Sequence, residues 1–308
     1  LVTSIPSIET LNNIQSKKFR HFKILKRFND FPLPKTKIIN LNIKKIKNRY
    51  ISEETSKIVK SFLNKNEQVL FFINRRGYAP YLICKKCGYK QVCDNCSMYL
   101  TFHKTKNMAI CHHCSFEKKI SENCKEGEKC EFVMYGPGVE KIFEEVSKIF
   151  PSNKIEIFSS DYMKKKNQIK SLFSRIVNNE IDILIGTQMI SKGFNFPKLN
   201  CIVVIDADFT GRGYDLRTME KNIQLYHQLS GRAGRFNSES LIVYQTLSPE
   251  DSTLNELIKN NSEELLKKEL VLRKKNLLPP FTRLIAIIVS ANLHSISMDG
   301  AGQIKNQL

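Results

Sequence analysis

Eight cysteines stand in four pairs between residues 84 and 130: Cys84 and Cys87, Cys93 and Cys96, Cys111 and Cys114, and Cys124 and Cys130. The first three pairs are separated by two residues each and the fourth by five. Structural zinc takes four Cys or His ligands in a tetrahedron, and a two-residue gap lets both thiolates of a pair turn to one ion. Eight such ligands correspond to two zinc ions. Scattered buried thiols would not produce three such pairs in succession. His112 and His113, inside CHHC, read as neighbours that point away from the metal, with His113 the reserve ligand should Cys130 fall out of reach. A segment too small to bury a core gains its folding energy from the metal. Lys85, Lys86, Lys90, Lys104 and Lys106 surround the cysteines, so the ribbon's surface faces either nucleic acid or protein. The ninth cysteine, Cys201, lies in the apolar run NCIVVID and reads as a core residue.

Two further segments carry phosphate chemistry. ILIGTQMISKGFNFP (183–197) ends a buried strand and enters a loop holding Thr187, Gln188, Lys192 and Gly193. QLSGRAGR (228–235) closes a helical segment and presents Arg232 and Arg235 three residues apart. A guanidinium fork binds phosphate in a bidentate way and stabilises the charge that grows on a transferring phosphoryl group. Small residues at Gly231, Ala233 and Gly234 permit close backbone approach.

The elements that must position these residues are legible as periodicity. VLFFIN (69–74), KIEIF (154–158), DILIGT (182–187), CIVVIDAD (201–208) and LIVYQT (241–246) are short apolar runs of buried-strand type. Helical spacing recurs in 138–150 through Val139, Ile142, Phe143, Val146 and Phe150, and in 164–179 through Ile169, Leu172, Phe173 and Ile176. SEETSKIVKSFL opens on a Ser cap and an acidic first turn. Strands alternating with helices predict an α/β layer on a mostly parallel sheet, interrupted by the cysteine segment. After residue 250 a charged helix is expected to run to about 276, where LLPPF stops it. LIAIIVSA then resembles a strand of a further domain, and the last residues look polar and unanchored.

Lys and Arg total 49 against 30 Asp and Glu, a formal charge of +19, which favours a polyanionic partner. No apolar run is long enough to span a bilayer, and the opening LVTSIPSIET has no signal-peptide pattern, so a cytoplasmic location and no membrane partner are expected.

In their order, NRRGYAP (74–80), the eight-cysteine insertion, GTQMxxKG, Asp206-Ala207-Asp208, GRAGR and LPPF resemble the replication-restart DNA helicases of superfamily 2, the primosomal protein N′ family. GTQMxxKG and GRAGR are similar to motifs V and VI of a second RecA-like lobe, and NRRG to motif IV. The resemblance covers roughly residues 1 to 290. It implies an ATP-driven 3′-to-5′ translocase that recognises forked or single-stranded DNA and reloads the replicative helicase through primosome partners, with single-stranded DNA-binding protein a further candidate. It also implies nested zinc sites: Cys84, Cys87, Cys124 and Cys130 on one ion, and Cys93, Cys96, Cys111 and Cys114 on the other. Arg232 and Arg235 fall where motif VI contacts ATP phosphates. Gly193, Gln228 and Gly231 fall beside the nucleotide. Thr187, Gln188 and Lys192 fall along the DNA backbone, and Arg75 and Arg76 fall where either DNA or the lobe interface is supported.

The resemblance divides the chain into the end of a first lobe (1–12, a motif III segment), a connector (13–50), the second lobe (51–80 and 131–250), the zinc insertion (81–130) and a C-terminal domain cut short (251–308). Three departures stand beside it. No GxxxxGK[ST] phosphate loop and no Asp-Glu-x-His occur, so ATP and Mg²⁺ require a first lobe and the chain alone is expected to be inactive. Ser4-Ile5-Pro6 stands where the family's motif III has Ala-Thr-Pro. CKEGEKC stretches the fourth cysteine pair. A split or decayed helicase gene is therefore expected; an upstream phosphate loop within the same polypeptide would contradict that origin. The alternative is a non-catalytic, zinc-stabilised DNA-binding remnant.

Overall fold

The computed structural model describes residues 2–24, 32–41, 50–73, 81–84, 89, 91–94, 100–103, 108–111, 116–119, 132–135, 138–159, 166–191, 196–207, 216–234, 239–247, 249–250, 252–259, 261–285, 287, 289, 291 and 294–307. In chain order the first elements are α1 (Ile8–Gln15), β1 (Lys35–Asn40), α2 (Glu53–Leu63), β2 (Gln68–Phe72), β3 (Tyr81–Cys84), β4 (Thr101–His103), β5 (Met108–Ile110), β6 (Glu117–Lys118) and β7 (Phe132–Tyr135). They are followed by α3 (Val139–Ile149), β8 (Ile155–Phe158), α4 (Lys166–Val177), β9 (Ile183–Gly186), a 3₁₀ turn (Gln188–Ser191), β10 (Leu199–Val204), α5 (Thr218–Ser230), β11 (Leu241–Thr246), α6 (Ser252–Ile258), α7 (Ser262–Lys275) and α8 (His294–Gln307). The chain divides into two compact units, one of residues 1–6 and 22–265 and one of residues 7–21 and 266–308.

The first unit is built on a six-stranded sheet in the order β1-β11-β10-β2-β9-β8, and every pairing in it is parallel. A parallel sheet needs cover on both faces, which is why β2, β9 and β10 read as unbroken apolar runs and are buried along their whole length. Val69, Phe71, Ile183, Ile185, Val203 and Val243 form one face, packed with Val59 of α2 and Ile142 and Val146 of α3. Strand residues alternate between faces, so Gln68 and Tyr244 look the other way. There the Gln68 amide donates to the carbonyls of Ile176 (2.8 Å) and Ile181 (2.9 Å) at the end of α4. The Tyr244 ring meets Tyr226 of α5 edge-on at 5.7 Å. Ser52 caps α2 as the sequence predicts, its hydroxyl accepting from the Thr55 N–H at 3.0 Å.

Because all six strands run the same way, Phe72, Phe158, Gly186, Val204 and Thr246 end along one edge. Between β2 and α3 the chain builds a separate antiparallel sheet in the order β6-β5-β4-β3-β7. Its small core joins Leu82, Cys93, Leu100, Ala109 and Cys111.

In the second unit, Ser7 caps α1 through the Thr10 N–H at 3.1 Å. Arg273 of α7 is buried. Its Nε donates to Glu269 Oε1 at 3.0 Å and its Nη1 to the Pro279 carbonyl at 3.3 Å, which folds the LPPF turn back over the helix end.

All five apolar runs named from the sequence form strands of the parallel sheet. A sixth strand, β1, was not singled out there and lies within the stretch assigned to a connector; it pairs with β11 over six positions. The charged helix expected after residue 250 is two helices, with Asn261 starting the second by accepting the Leu265 N–H at 3.0 Å. LIAIIVSA is not a strand at its described residues 284, 285, 287, 289 and 291, where no ladder partner is hydrogen-bonded, and Leu284, Ile285 and Ile287 are exposed. The polar last residues form α8, in which no described residue is buried. Among the described residues no helix is long and apolar enough to cross a membrane.

Gly186 is the tightest point of the described sheet edge. A Cβ there would stand 3.1 Å from both the Phe158 carbonyl oxygen and Ile190 Cδ1. Backbone cannot yield as a side-chain tip can, so Gly186→Ala is expected to lower unfolding stability by roughly 1–3 kcal/mol, read as a reduced urea midpoint with an unchanged slope.

Candidate functional site

The antiparallel sheet positions three of the eight paired cysteines within the described residues. Cys84 ends β3, Cys111 follows β5, and Cys93 stands next to Val92, which forms a bridge. All three are buried and none is in a disulfide. The Cys84 N–H donates to the Tyr89 carbonyl and the Cys111 N–H to the Phe116 carbonyl, each at 2.8 Å. Each bond thus runs from a cysteine amide to the fifth residue beyond it, a span that in the sequence holds a Cys-x-x-Cys pair. Cys93 and Cys111 belong to one buried cluster and Cys84 lies outside it. Cys84 is instead the register partner of Phe132, which follows Cys130 by two residues. Cys87, Cys96, Cys114, Cys124 and Cys130, with His112 and His113, lie outside the described residues. Among the described residues no three ligating side chains converge. Buried thiols in hydrogen-bonded turns fit the donor chemistry of a zinc ribbon. Cys201 differs from them: burial first, then the nearby Glu67 charge, pushes its thiol far above the usual range, as befits an inert core residue.

At the C-terminal edge of the parallel sheet, Thr187 follows β9 and is buried, its carbonyl accepting from the Ile190 N–H at 3.0 Å. Gln188 opens the 3₁₀ turn and is half-buried. The Ile73 N–H donates to the Gly186 carbonyl at 2.9 Å, so the chain just past β2 lies beside the end of β9 and Thr187. Arg75, Arg76, Lys192 and Gly193 lie outside the described residues.

The arginine turn begins at the last residues of α5. Gln228 is exposed on that helix, and Gly231 and Arg232, half-buried, lead out of it. The Arg232 N–H donates to the Leu229 carbonyl at 2.9 Å. Ala233 is fully buried, and Gly234 has φ 66° and donates its N–H to the Leu199 carbonyl at 3.2 Å. Leu199 starts β10, whereas Gly186 is in register with Phe72 and Val204 near that strand's end. Thr187 and Arg232 are thus carried to opposite ends of the sheet, on the order of 15 Å apart along the strand direction at ~3.3 Å per residue. Arg235 lies outside the described residues.

Two residues that the sequence did not mark hold the C-terminal edge. Gln245, fully buried, accepts from the Ser52 N–H (2.9 Å) and the Thr55 hydroxyl (2.7 Å) and donates to the Tyr50 carbonyl (2.9 Å). Glu145 of α3 accepts the N–H groups of Tyr50 (2.8 and 3.0 Å) and Ile51 (3.0 Å). The available sequence signal for Gln245 was a polar residue closing the apolar run LIVYQT.

A parallel sheet with an inserted cysteine ribbon and a glycine-rich arginine turn defines a helicase-type lobe. Residues 115–237 match the family described as Helicase conserved C-terminal domain. Residues 93–119 match the PriA DNA helicase Cys-rich region (CRR) domain, a span that holds Cys93, Cys96, Cys111 and Cys114. The chain is 39% identical over 297 residues to the Replication restart protein PriA of Rickettsia felis, covering 96% of this chain and 46% of that protein. It is 38% identical over 294 residues to that of Rickettsia conorii, covering 95% and 45%. It belongs to the PriA family of replication restart proteins and spans about half the length of the curated relatives it matches. Among solved structures, RecG bound to a three-way DNA junction aligns with a TM-score of 0.43 and 13% identity, covering 82% of this chain and 26% of that one, a likeness too loose to add to the sheet topology.

The glycines of the arginine turn differ in what the lobe itself demands. Gly234 needs the left-handed region, so Gly234→Ala is expected to cost about 1 kcal/mol. Gly231 has φ −70° and a Cβ there would meet only ordinary contacts, at 3.4 and 3.7 Å. Gly231→Ala is therefore expected to stay within roughly 0.5 kcal/mol of the parent protein. Urea unfolding of the two variants checks the difference.

Proposed function

We propose that this chain is the second motor lobe, with its zinc-binding insertion, of an ATP-dependent 3′-to-5′ DNA helicase acting in replication restart. The observation that carries the reading is one wholly parallel sheet with a strand-end loop at Thr187 on one edge and an arginine turn anchored at the start of β10 on the other. Separation suits two ligands better than one. DNA runs along the edge of Thr187 and Gln188, with Lys192, Arg75 and Arg76 on adjoining segments. Nucleotide phosphates approach the edge of Gly231 and Arg232, where nothing in the lobe itself requires glycine at 231. Gln228 and Arg235 flank that turn, and Gly193 belongs to the loop after Thr187. On this reading the lobe comprises 51–80 and 131–250, with β1 added at its sheet edge, around an insertion of 81–130, and 251–308 begins a further domain.

The phosphate loop that would bind ATP and Mg²⁺ is absent from these 308 residues, so turnover needs a first lobe. Arg232, delivered across the cleft, would stabilise charge growing on the transferring phosphoryl group. Bound zinc would supply the cross-link that a module with so small a core lacks. Cys93 and Cys111 share one cluster, which supports the inner set Cys93, Cys96, Cys111 and Cys114. The register of Cys84 with Phe132 supports the outer set Cys84, Cys87, Cys124 and Cys130. The ribbon then meets forked DNA or primosome proteins, among them those that load the replicative helicase.

Metal content and DNA affinity of the purified chain test this reading together. Two zinc ions per chain are expected, falling to about one in Cys93→Ser and in Cys84→Ser as each set of four loses a ligand. Binding to forked and single-stranded oligonucleotides should weaken steeply with salt. A single zinc, equal loss of both ions in each variant, or no DNA binding at low salt would contradict the assignment.

A further inference from the structure

We propose that Gln245 is a positioning residue that ties the entry to α2 at Tyr50 to the loop leaving β10 at Ala207. Its functional consequence rests on the reading of the C-terminal sheet edge as the DNA-facing one; its structural content does not. Every hydrogen-bonding group of the Gln245 side chain points toward the entry. Oε1 takes the Ser52 N–H and the Thr55 hydroxyl, and Nε2 gives to the Tyr50 carbonyl. Glu145 takes the N–H groups of Tyr50 and Ile51, so three consecutive residues have their backbone held by two side chains. The Gln245 backbone carbonyl meanwhile accepts the Ala207 N–H at 2.9 Å, next to the buried Asp206. Its neighbour Thr246 accepts the Leu41 N–H at 2.7 Å. Two adjacent residues at the end of β11 therefore hold both flanks of segment 42–49 and the exit of β10.

Packing does not explain the choice of glutamine. A methionine would fill the same buried volume without the desolvation cost of an amide. What glutamine adds is direction. A buried polar network with every group paired behaves as a unit, and loosening one member leaves the others unsatisfied. A pull on residues 50–55, as lobe motion would exert, reaches Gln245 through three side-chain hydrogen bonds, one each from Tyr50, Ser52 and Thr55, and Ala207 through a fourth bond on the same residue.

Amide hydrogen exchange on the 308-residue protein, without DNA, reads this coupling in Gln245→Met. Exchange is expected to rise about tenfold or more at 50–55, and also at Ala207, whose acceptor is backbone and survives the substitution. The β2 amides of 69–72 should stay within about twofold. Unchanged exchange at 50–55 or at Ala207, or an equal rise in β2, would overturn the proposal. Thr55→Val removes one donor to Oε1, and with it the 2.8 Å contact to the Ser52 hydroxyl, while keeping the volume. A local rise at 50–55 follows from the Ser52 contact alone, so a smaller rise at Ala207 supports the tie and none there refutes it. Affinity for a single-stranded oligonucleotide supplies the functional arm. Several-fold weaker binding by Gln245→Met at unchanged zinc content supports the positioning role, and equal affinity refutes it. If the unsubstituted chain binds no DNA, the proposed function fails while the exchange result still stands or falls alone.

Discussion

The constraint on which the rest depends is the parallel direction of all six strands in the large sheet. Parallel strands bury both faces, so α2 and α3 cover one and α4 and α5 the other, and the faces are closed to ligands. Only the edges remain for chemistry, and the common direction makes the two edges different. One collects strand ends and the loops after them, as at Ile73, Thr187 and Ala207. The other collects helix ends returning to start a new strand, as at Arg232–Gly234 before β11. On the reading proposed above, the separation of nucleotide from nucleic acid would follow from that division of the edges.

The cysteine ribbon solves a different problem. Among the described residues its core unites five buried residues, two of them cysteines, with Phe116 and Phe132 packed against them. On the reading proposed above, metal–thiolate bonds would add cross-links to that packing. Its entry and exit strands, β3 and β7, pair directly over four positions. The first and last strands of the insertion thus close on each other, with Tyr81 beside Tyr135.

The central strands and their helices were legible in the sequence because burial on both faces leaves a continuous apolar run. Edge strand β1 was not: KTKIIN keeps lysines on its exposed positions, the protection an unpaired edge requires, and so resembles a connector. The opposite error arose at LIAIIVSA, an apolar run whose described residues lie in no strand. The cysteine pairs and GRAGR were legible because their chemistry lies in local spacing. Gln245 was not, since its partners Ser52 and Thr55 are 193 and 190 residues away in sequence. Nor could spacing reveal that Thr187 and Arg232 stand at opposite sheet ends, because that follows from strand direction.

The central claim is that this lobe completes a nucleotide site it does not itself contain. ATP hydrolysis by the chain, alone and combined with the phosphate-loop half of a replication restart relative, tests it directly. The account predicts no turnover alone and DNA-stimulated turnover on combination, reduced about a thousandfold by Arg232→Ala while DNA binding persists. Turnover by the chain alone, or combined turnover indifferent to Arg232→Ala, would contradict it.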